Sequence, residues 1–345
     1  MKKKSATSLK KIIILDIIFL VFLSGIIFGG TFYYFKRHST VSANNDPSED
    51  NGCASSINLL RIKENGLTRP LLLSDVLEEA ASFSPLKDQL DTKLLEWEQA
   101  GKIQTASVYL RDLNNGRWMS INGEQAFKPG SLMKVPIMIY YLKVEQEHPG
   151  ALNKVVVYKK PAVEVPIQTY AGDSIRVGKN YRIVDLLAYM IEQSDNNATI
   201  LLSTYLDHEI FDKIFTDLDI IPDEKDDFNY TITAKQYGKF FRILFNSSYL
   251  DEPLSEFGLE LLANCKFDKG IIKGVPDGTK VPRKFGEQKV DNYMEFCESG
   301  IIYKNDNPYL LVIMTRGNNT EELTNFVAEL SGIIYNGFDQ IAQKQ

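Results

Sequence analysis

The sequence predicts an α+β fold, an α/β sandwich in which one antiparallel sheet of about five strands is flanked by helices. Three observations predict it: a hairpin pattern near the start of the folded part, helix patterns in the middle, and strand patterns followed by a helix at the end. Strands joined by short turns pair antiparallel. We therefore expect the early and late strands to share one sheet, built from both ends of the domain.

The first predicted elements are a helix and a hairpin. Leucines at helical spacing predict a helix over residues 85–100, and Gly101 is a typical stop signal. Strand patterns at residues 107–110 and 116–120 flank an Asn-Asn-Gly turn, which favours a hairpin. A further apolar helix pattern begins at Ser131 and contains a proline, Pro136, in its second turn.

The middle and the end of the chain differ in the period of their apolar residues. Glycine and proline breaks make residues 155–182 irregular. Helices are predicted at four places, namely residues 181–192, from about residue 198, and residues 233–245 and 253–263. Residues rich in β-branched and aromatic side chains predict three strands, at 280–289, 293–303 and 309–316, before a last amphipathic helix over 320–342.

The N-terminal residues predict a membrane anchor. Five lysines precede an apolar run over residues 12–35, which is interrupted only by Asp16. The run is long enough to cross a bilayer core of about 30 Å. The excess of lysine before it predicts a single-pass protein of the cell membrane, with the N-terminus inside and the rest outside. A cleaved signal peptide, with a cleavage site at Val41-Ser-Ala43, is the alternative.

These patterns divide the chain into three parts. Residues 1–36 form a cytoplasmic tail and transmembrane anchor, and residues 37–80 form a tether, rich in Ser, Asn and Asp, with an N-terminal extension. Residues 81–345 form a single folded domain, whose chemistry depends on the motifs described below.

Composition excludes several classes of function. The net charge is −6 and no basic stripe occurs beyond the first residues, so we expect no nucleic-acid partner. The three histidines are far apart and lack metal-ligand spacing, so we expect no metal and no cofactor.

Three cysteines leave at least one unpaired in an exported chain. Cys265 and Cys297 either form a bridge or are free; we favour free, buried thiols.

Ser131 is the strongest candidate for a nucleophile. It follows a Pro-Gly break, and Lys134 lies one turn further along the same face of the predicted helix, where its amine can reach the serine hydroxyl. A serine hydroxyl is a poor nucleophile until a neighbouring base removes its proton. The pair therefore predicts an activated serine.

The Ser-x-x-Lys pattern alone has little specificity, because Ser8-Lys11 and Ser84-Lys87 also match it. What distinguishes Ser131 is that two further motifs follow it. They are Ser194-Asp195-Asn196, on a turn between two predicted helices, and Lys284-Phe285-Gly286, on the first of the late strands.

This order of motifs resembles the penicillin-recognising serine hydrolases, and within them the class A β-lactamases, which carry Ser-x-x-Lys, Ser-Asp-Asn and Lys-Thr-Gly. The resemblance covers residues 84 to the C-terminus and implies an acyl-enzyme mechanism. It implies that Ser131 is the nucleophile, Lys134 the base or part of a proton relay, and Ser194 the group that passes the proton to the leaving nitrogen. It implies substrate binding by Asn196, Lys284, Gly286 and Glu287, with the backbone N–H groups of Ser131 and Glu287 as the oxyanion hole.

Two departures from the family pattern affect the expected activity. Phe285 replaces the threonine or serine whose hydroxyl binds the carboxylate of a β-lactam, which weakens the expected affinity for penicillin. No Glu-x-x-Leu-Asn segment occurs between Asn196 and Thr231, where Glu209 and Glu224 are the only glutamates. That segment supplies the family's deacylation base, so we expect any acyl-enzyme to be long-lived.

The sequence therefore predicts a membrane-anchored, extracytoplasmic serine hydrolase that acylates Ser131 with β-lactams or D-Ala-D-Ala-like peptides and deacylates slowly. Two alternatives stay open. One is a DD-peptidase, or penicillin-binding protein, without useful lactamase activity. The other is a non-catalytic ectodomain that binds cell-wall fragments on a degenerate hydrolase fold.

Each motif also has a purely structural interpretation. Ser131 and Lys134 are then a helix start with a solvent-facing lysine. Ser194 then ends one helix and Asp195 caps the next, a role that we expect of Asp195 in any case. Lys284 is then a charged residue that protects an edge strand.

Overall fold

The computed structural model describes residues 57–62, 70–159, 169–170, 172–220 and 231–342. The anchor predicted at residues 12–35, the tether up to residue 56 and Cys53 lie outside these ranges. Within them, no helix combines the length and the apolarity needed to cross a bilayer.

The elements follow the predicted order closely. The strands are, along the chain, β1 (Ile57–Arg61), β2 (Leu71–Val76), β3 (Thr105–Asp112), β4 (Trp118–Ile121), β5 (Ala126–Phe127), β6 (Val155–Val157), β7 (Asn180–Arg182), β8 (Ile232–Thr233), β9 (Arg283–Val290), β10 (Tyr293–Lys304) and β11 (Asn307–Gly317). The α-helices are α1 (Ser84–Gln99), α2 (Lys134–Glu147), α3 (Ile183–Glu192), α4 (Asn196–Ser203), α5 (His208–Asp217), α6 (Ala234–Phe245), α7 (Glu252–Ala263) and α8 (Thr320–Ala342).

The main sheet has five antiparallel strands in the order β4-β3-β11-β10-β9. Strands from the start and the end of the domain therefore meet in one sheet, and the α+β prediction is confirmed. The final helix has the predicted bounds, and the β3–β4 hairpin closes around the predicted turn.

Helices cover both faces of this sheet. Along β10 the side chains alternate, so that Cys297 and Ile301 belong to one apolar cluster with α2, α3 and α6, while Phe296 and Ile302 belong to the other with α1 and α8. Cys265 lies in the second cluster. The two cysteines are therefore on opposite faces as free, buried thiols, which was the favoured prediction.

Some predicted boundaries were wrong. The predicted helix start at residue 181 is wrong, because residues 180–182 pair with residues 155–157. The stretch expected to be irregular therefore contains a short two-stranded ladder. Helix α4 begins at Asn196 rather than near residue 198, because Asp195 takes the extended backbone of an N-cap.

The β1–β2 hairpin is the N-terminal extension, and one of its contacts with the domain is made by a carboxylate. Asp75 Oδ1 accepts hydrogen bonds from Arg111 at 2.9 Å and from Arg242 at 2.8 Å. Both guanidinium groups also donate to the carbonyl of Ser74. The two arginines come from β3 and α6, so this contact joins the hairpin to the sheet and to a helix.

The start of α2 differs from the prediction and explains Pro136. A 3-10 turn covers Gly130–Met133, and the α-helix begins only at Lys134. Pro136 therefore lies in the first turn of α2, where helical N–H groups have few partners anyway. The carbonyl that its missing N–H would have bonded, that of Leu132, accepts a hydrogen bond from the Tyr237 hydroxyl at 2.8 Å instead.

We predict that Tyr237→Phe lowers the free energy of unfolding by about 1–3 kcal/mol, because it leaves the buried Leu132 carbonyl without this donor. Urea denaturation measures the change. Tyr309→Phe is the matched control: Tyr309 is equally buried, but its hydroxyl has no hydrogen-bond partner in the described part of the chain. Its loss should leave stability unchanged or slightly higher. Equal losses in the two variants would contradict the role of Tyr237.

Candidate active site

The site lies where the edge strand β9 meets the 3-10 turn, and two glycines allow the backbones to touch. A Cβ atom at Gly286 would lie 2.1 Å from the carbonyl oxygen of Pro129 and 2.9 Å from the nitrogen of Ser131. A Cβ atom at Gly130, whose φ is +54°, would lie 2.6 Å from the carbonyl oxygen of Glu287 and 3.2 Å from its nitrogen. Any side chain at either position would force the backbones apart. The backbone nitrogens of Ser131 and Glu287 thus lie at one junction.

A second strand holds the segment before Ser131. The carboxylate of Glu295, on β10, accepts a hydrogen bond from the backbone N–H of Lys128 at 2.6 Å and pairs with Arg316 at 2.6 Å. Glu295 is almost completely buried. Glu295 was not predicted from the sequence. An acidic residue within an apolar strand pattern, with an arginine on the next strand, could have indicated it.

The centre of the site is the hydroxyl of Ser194, which both lysine amines contact. Lys134 Nζ lies 3.1 Å from Ser194 Oγ, 2.5 Å from the Ser194 carbonyl oxygen and 2.8 Å from Asn196 Oδ1. Lys284 Nζ lies 2.9 Å from Ser194 Oγ and 2.9 Å from the carbonyl oxygen of Phe285. Both lysines are buried. The interpretations of Lys134 as a solvent-facing helix lysine and of Lys284 as a charged edge residue are therefore wrong.

Asp195 holds the turn that presents Ser194. Ser194 has a φ of +56°, a left-handed conformation that costs a non-glycine residue about 1–3 kcal/mol. The Asp195 carboxylate accepts hydrogen bonds from the backbone of Asn197 at 2.9 Å, from the backbone of Ile175 at 2.9 Å and from the hydroxyl of Ser174 at 2.8 Å. These contacts fix the strained turn, so Asp195 has the structural role predicted for it.

Burial lowers the pKa of both lysine amines, and the charge of Lys284 lowers that of Lys134 further. Burial, and after it the positive charge of Lys284, holds the pKa of the Lys134 amine well below its ordinary value. Burial also lowers the pKa of Lys284, to about 8. Near neutral pH, Lys284 is therefore mostly protonated, and the lowered pKa of Lys134 favours the neutral form of its amine.

Ser131 lies within the 3-10 turn and is half-buried. In the described part of the chain no hydrogen bond joins the Ser131 hydroxyl to the Lys134 amine, although one was predicted. That amine is directed to Ser194 and Asn196 instead. The tighter 3-10 turn changes the helical spacing on which the prediction rested. All other predicted site residues lie around the same junction.

An aromatic group lies beside the two lysines. The Phe285 ring stacks on Phe267 with a centroid distance of 4.0 Å, and the edge of Tyr170 meets both rings at 5.5 Å. The backbone N–H of Thr169 donates to the carboxylate of Glu287. Residues 169 and 170 thus contact β9, while the segment that begins at residue 172 packs on the Ser194 turn.

Of the two glutamates considered as a deacylation base, the structure describes only Glu209. Glu209 is exposed in the first turn of α5, where it contributes to the helix start. Glu224 lies outside the described residues. The described part of the chain therefore offers no glutamate of this interval as a base.

The model of the β-lactamase enzyme family, Beta-lactamase2, matches residues 85–338. The chain belongs to this family. It is therefore a serine hydrolase of the penicillin-recognising superfamily. A search of curated proteins gave no match.

Solved structures of family members have the same fold at low identity. A β-lactamase from Chitinophaga pinensis is 18% identical and has a TM-score of 0.62, covering 72% of this chain and 99% of its own. PBP-A is 18% identical with a TM-score of 0.61, covering 76% and 99%. TLA-3 extended-spectrum β-lactamase is 13% identical with a TM-score of 0.64, covering 73% and 98%.

We predict that Lys284→Met moves the pH dependence of Ser131 labelling by a fluorophosphonate to higher pH. Removing the positive charge raises the pKa of Lys134, so a smaller fraction of it is neutral at a given pH. Labelling rates measured from acidic to alkaline pH check this. Lys289→Met, at an exposed lysine of the same strand, is the control and should keep the wild-type profile. An unchanged or acid-shifted profile in Lys284→Met would rule out this coupling.

Proposed function

We propose that the chain is a membrane-anchored, extracytoplasmic serine hydrolase of class A β-lactamase type, which forms an acyl-enzyme on Ser131 with β-lactams or D-Ala-D-Ala-like peptides. The observation that carries the proposal is the Ser194 hydroxyl, contacted by two buried lysine amines beside the Ser131 turn. Burying two lysines is unfavourable. A catalytic role explains why both lysines are buried, whereas a helix start or an edge strand does not.

The proposed acylation step assigns a role to each of these groups. Ser131 Oγ forms a bond to the carbonyl carbon of the substrate, and its proton moves to the neutral amine of Lys134. The bond from that carbon to the leaving nitrogen breaks, and the nitrogen takes a proton from Ser194, which Lys134 then replaces. The backbone N–H groups of Ser131 and Glu287 bind the developing oxyanion, and such donors each lower the barrier by about 3 kcal/mol.

Release of the acyl group is the slow step in this proposal. Neither Glu209 nor Glu224 is assigned as a base that activates water. Among the structural neighbours, a mutant of PBP-A was solved as its acyl-enzyme complex with penicillin G, and it is 17% identical to this chain. By similarity, a long-lived adduct on Ser131 is the expected product.

The lack of an assigned deacylation base in the described part of the chain also favours a second candidate function. A DD-peptidase without useful lactamase activity would acylate in the same way and transfer its product slowly to water. Product release from a D-Ala-D-Ala peptide, compared with hydrolysis of a chromogenic cephalosporin, separates the two candidates.

The membrane part of the proposal rests on the sequence of residues 1–36. The apolar run and the lysines before it would hold the folded domain outside the cell, within reach of cell-wall peptides. Labelled full-length protein should then sediment with membranes and be digested by a protease added to intact protoplasts. Labelled protein in the soluble fraction would contradict the anchor.

We predict that fluorescent penicillin, at high concentration, attaches covalently to Ser131 and stays attached. Intact-mass spectra over time give both the extent of labelling and the lifetime of the adduct. Ser131→Ala should abolish the adduct. Ser84→Ala removes the serine of another Ser-x-x-Lys match, exposed at the start of α1, and should label like the wild type.

Two results would overturn parts of this proposal. An adduct that persists in Ser131→Ala would mean that another residue is the nucleophile. Reversible binding without any adduct, unchanged in Ser131→Ala, would support a non-catalytic domain that binds wall fragments.

A further inference from the structure

The donors of the Lys284 ammonium group are already occupied. An ammonium group has three N–H bonds and no acceptor. Lys284 Nζ lies 2.9 Å from Ser194 Oγ and 2.9 Å from the carbonyl oxygen of Phe285, and it lies 4.1 Å from the centroid of the Phe285 ring. The last contact is a cation–π interaction. A substrate carboxylate would have to displace one of these three partners.

The Phe285 ring is fixed where it covers this ammonium group. The ring is 1% exposed. Besides Phe267 and Tyr170 it meets Phe296, with ring centroids 6.3 Å apart. Turning the ring away from Lys284 would break this stacked group. Phenylalanine also offers no hydroxyl to an anion, and a carboxylate buried without a donor is strongly unfavourable.

Glu287 adds a negative charge at the same place. Its main chain packs on Gly130, directly before the Ser131 turn, and its carboxylate accepts the backbone N–H of Thr169. The side chain is half-buried. The charge acts on both buried lysines, because it favours their protonated forms. An anionic group that entered the site would meet this carboxylate and be repelled.

We infer that this site selects acyl compounds whose leaving group carries no carboxylate, that is, neutral or cationic esters and amides. The inference rests on the proposed acyl-enzyme mechanism at Ser131, and it disfavours the carboxylate-bearing substrates, β-lactams and D-Ala-D-Ala peptides, that the family suggests. Lys284 then acts as a buried charge that orients Ser194 and keeps Lys134 neutral, and it does not anchor the substrate. Phe285 and Glu287 are the residues that determine this specificity.

A matched pair of substrates tests the inference. Both are acyl depsipeptides with the same acyl group; one ends in a free carboxylate beside the scissile ester, and the other ends in a carboxamide. In each reaction Ser131 Oγ gains the acyl group, the ester C–O bond breaks, and the leaving alcohol takes the proton lost by Ser131. Intact-mass spectra give the acylation rate of each. We expect the carboxamide to react faster by roughly tenfold or more, because the carboxylate lacks a donor.

Variants locate the cause of this preference. Phe285→Thr uncovers Lys284 and adds a hydroxyl, so it should shift the rate ratio toward the carboxylate by roughly tenfold. Phe285→Leu is the matched control: it keeps an apolar side chain at this position and adds no hydroxyl, so it should keep the preference for the carboxamide. Glu287→Gln removes the repelling charge and keeps the shape, so it should reduce the ratio without reversing it.

The outcomes of the test are distinct. A wild-type protein that reacts faster with the carboxylate substrate refutes this inference and leaves the proposed function standing. Labelling of Ser131 by neither substrate refutes the proposed function, and the inference with it. If Phe285→Thr fails to fold, the wild-type ratio and Glu287→Gln still decide, because an unchanged ratio in Glu287→Gln contradicts the role of that charge.

Discussion

The hydroxyl of Ser194 contacts both lysine amines, and the chemistry of the site depends on this contact. Two ammonium groups that share a buried hydroxyl repel each other strongly, and each has also lost its hydration. The favourable solution is one protonated and one neutral amine. Lys284, with its carbonyl and aromatic partners, suits the charged form, and burial next to that charge favours the neutral form of Lys134. In the proposed mechanism this leaves Lys134 as the base next to the Ser131 turn.

Much of the surrounding structure keeps these groups in place. Asp195 fixes the strained Ser194 turn, and Glu295 and Tyr237 hold the two sides of the Ser131 turn from β10 and α6. Gly130 and Gly286 remove the Cβ atoms that would separate that turn from β9. The contacts of Glu295, Tyr237 and the two glycines join residues far apart along the chain, so the site forms only when the sheet and the helices have assembled.

The sequence predicted the fold well, and the residues of its three motifs lie together in the structure, because both leave local patterns. Strand and helix periods are local, and the three motifs occur in order at recognisable places. The start of α2 could not be predicted in this way, since it depends on Tyr237, a distant residue that satisfies the Leu132 carbonyl. The contact of the Phe285 ring with Lys284 could not be predicted for the same reason, since it also depends on distant residues. Phe285 departs visibly from the family pattern, but Phe267 and Tyr170, which fix its ring, belong to loops that carry no recognisable motif.

The most direct test of this account is the protonation state of the two lysines. Side-chain NMR of lysine labelled at Cε and Nζ reports it, with Lys134→Met and Lys284→Met used to assign the signals. The account predicts that Lys134 has the shifts of a neutral amine at neutral pH, while Lys284 titrates near pH 8, which is the pKa that burial gives it. A Lys134 signal that titrates together with the exposed lysines would contradict the account.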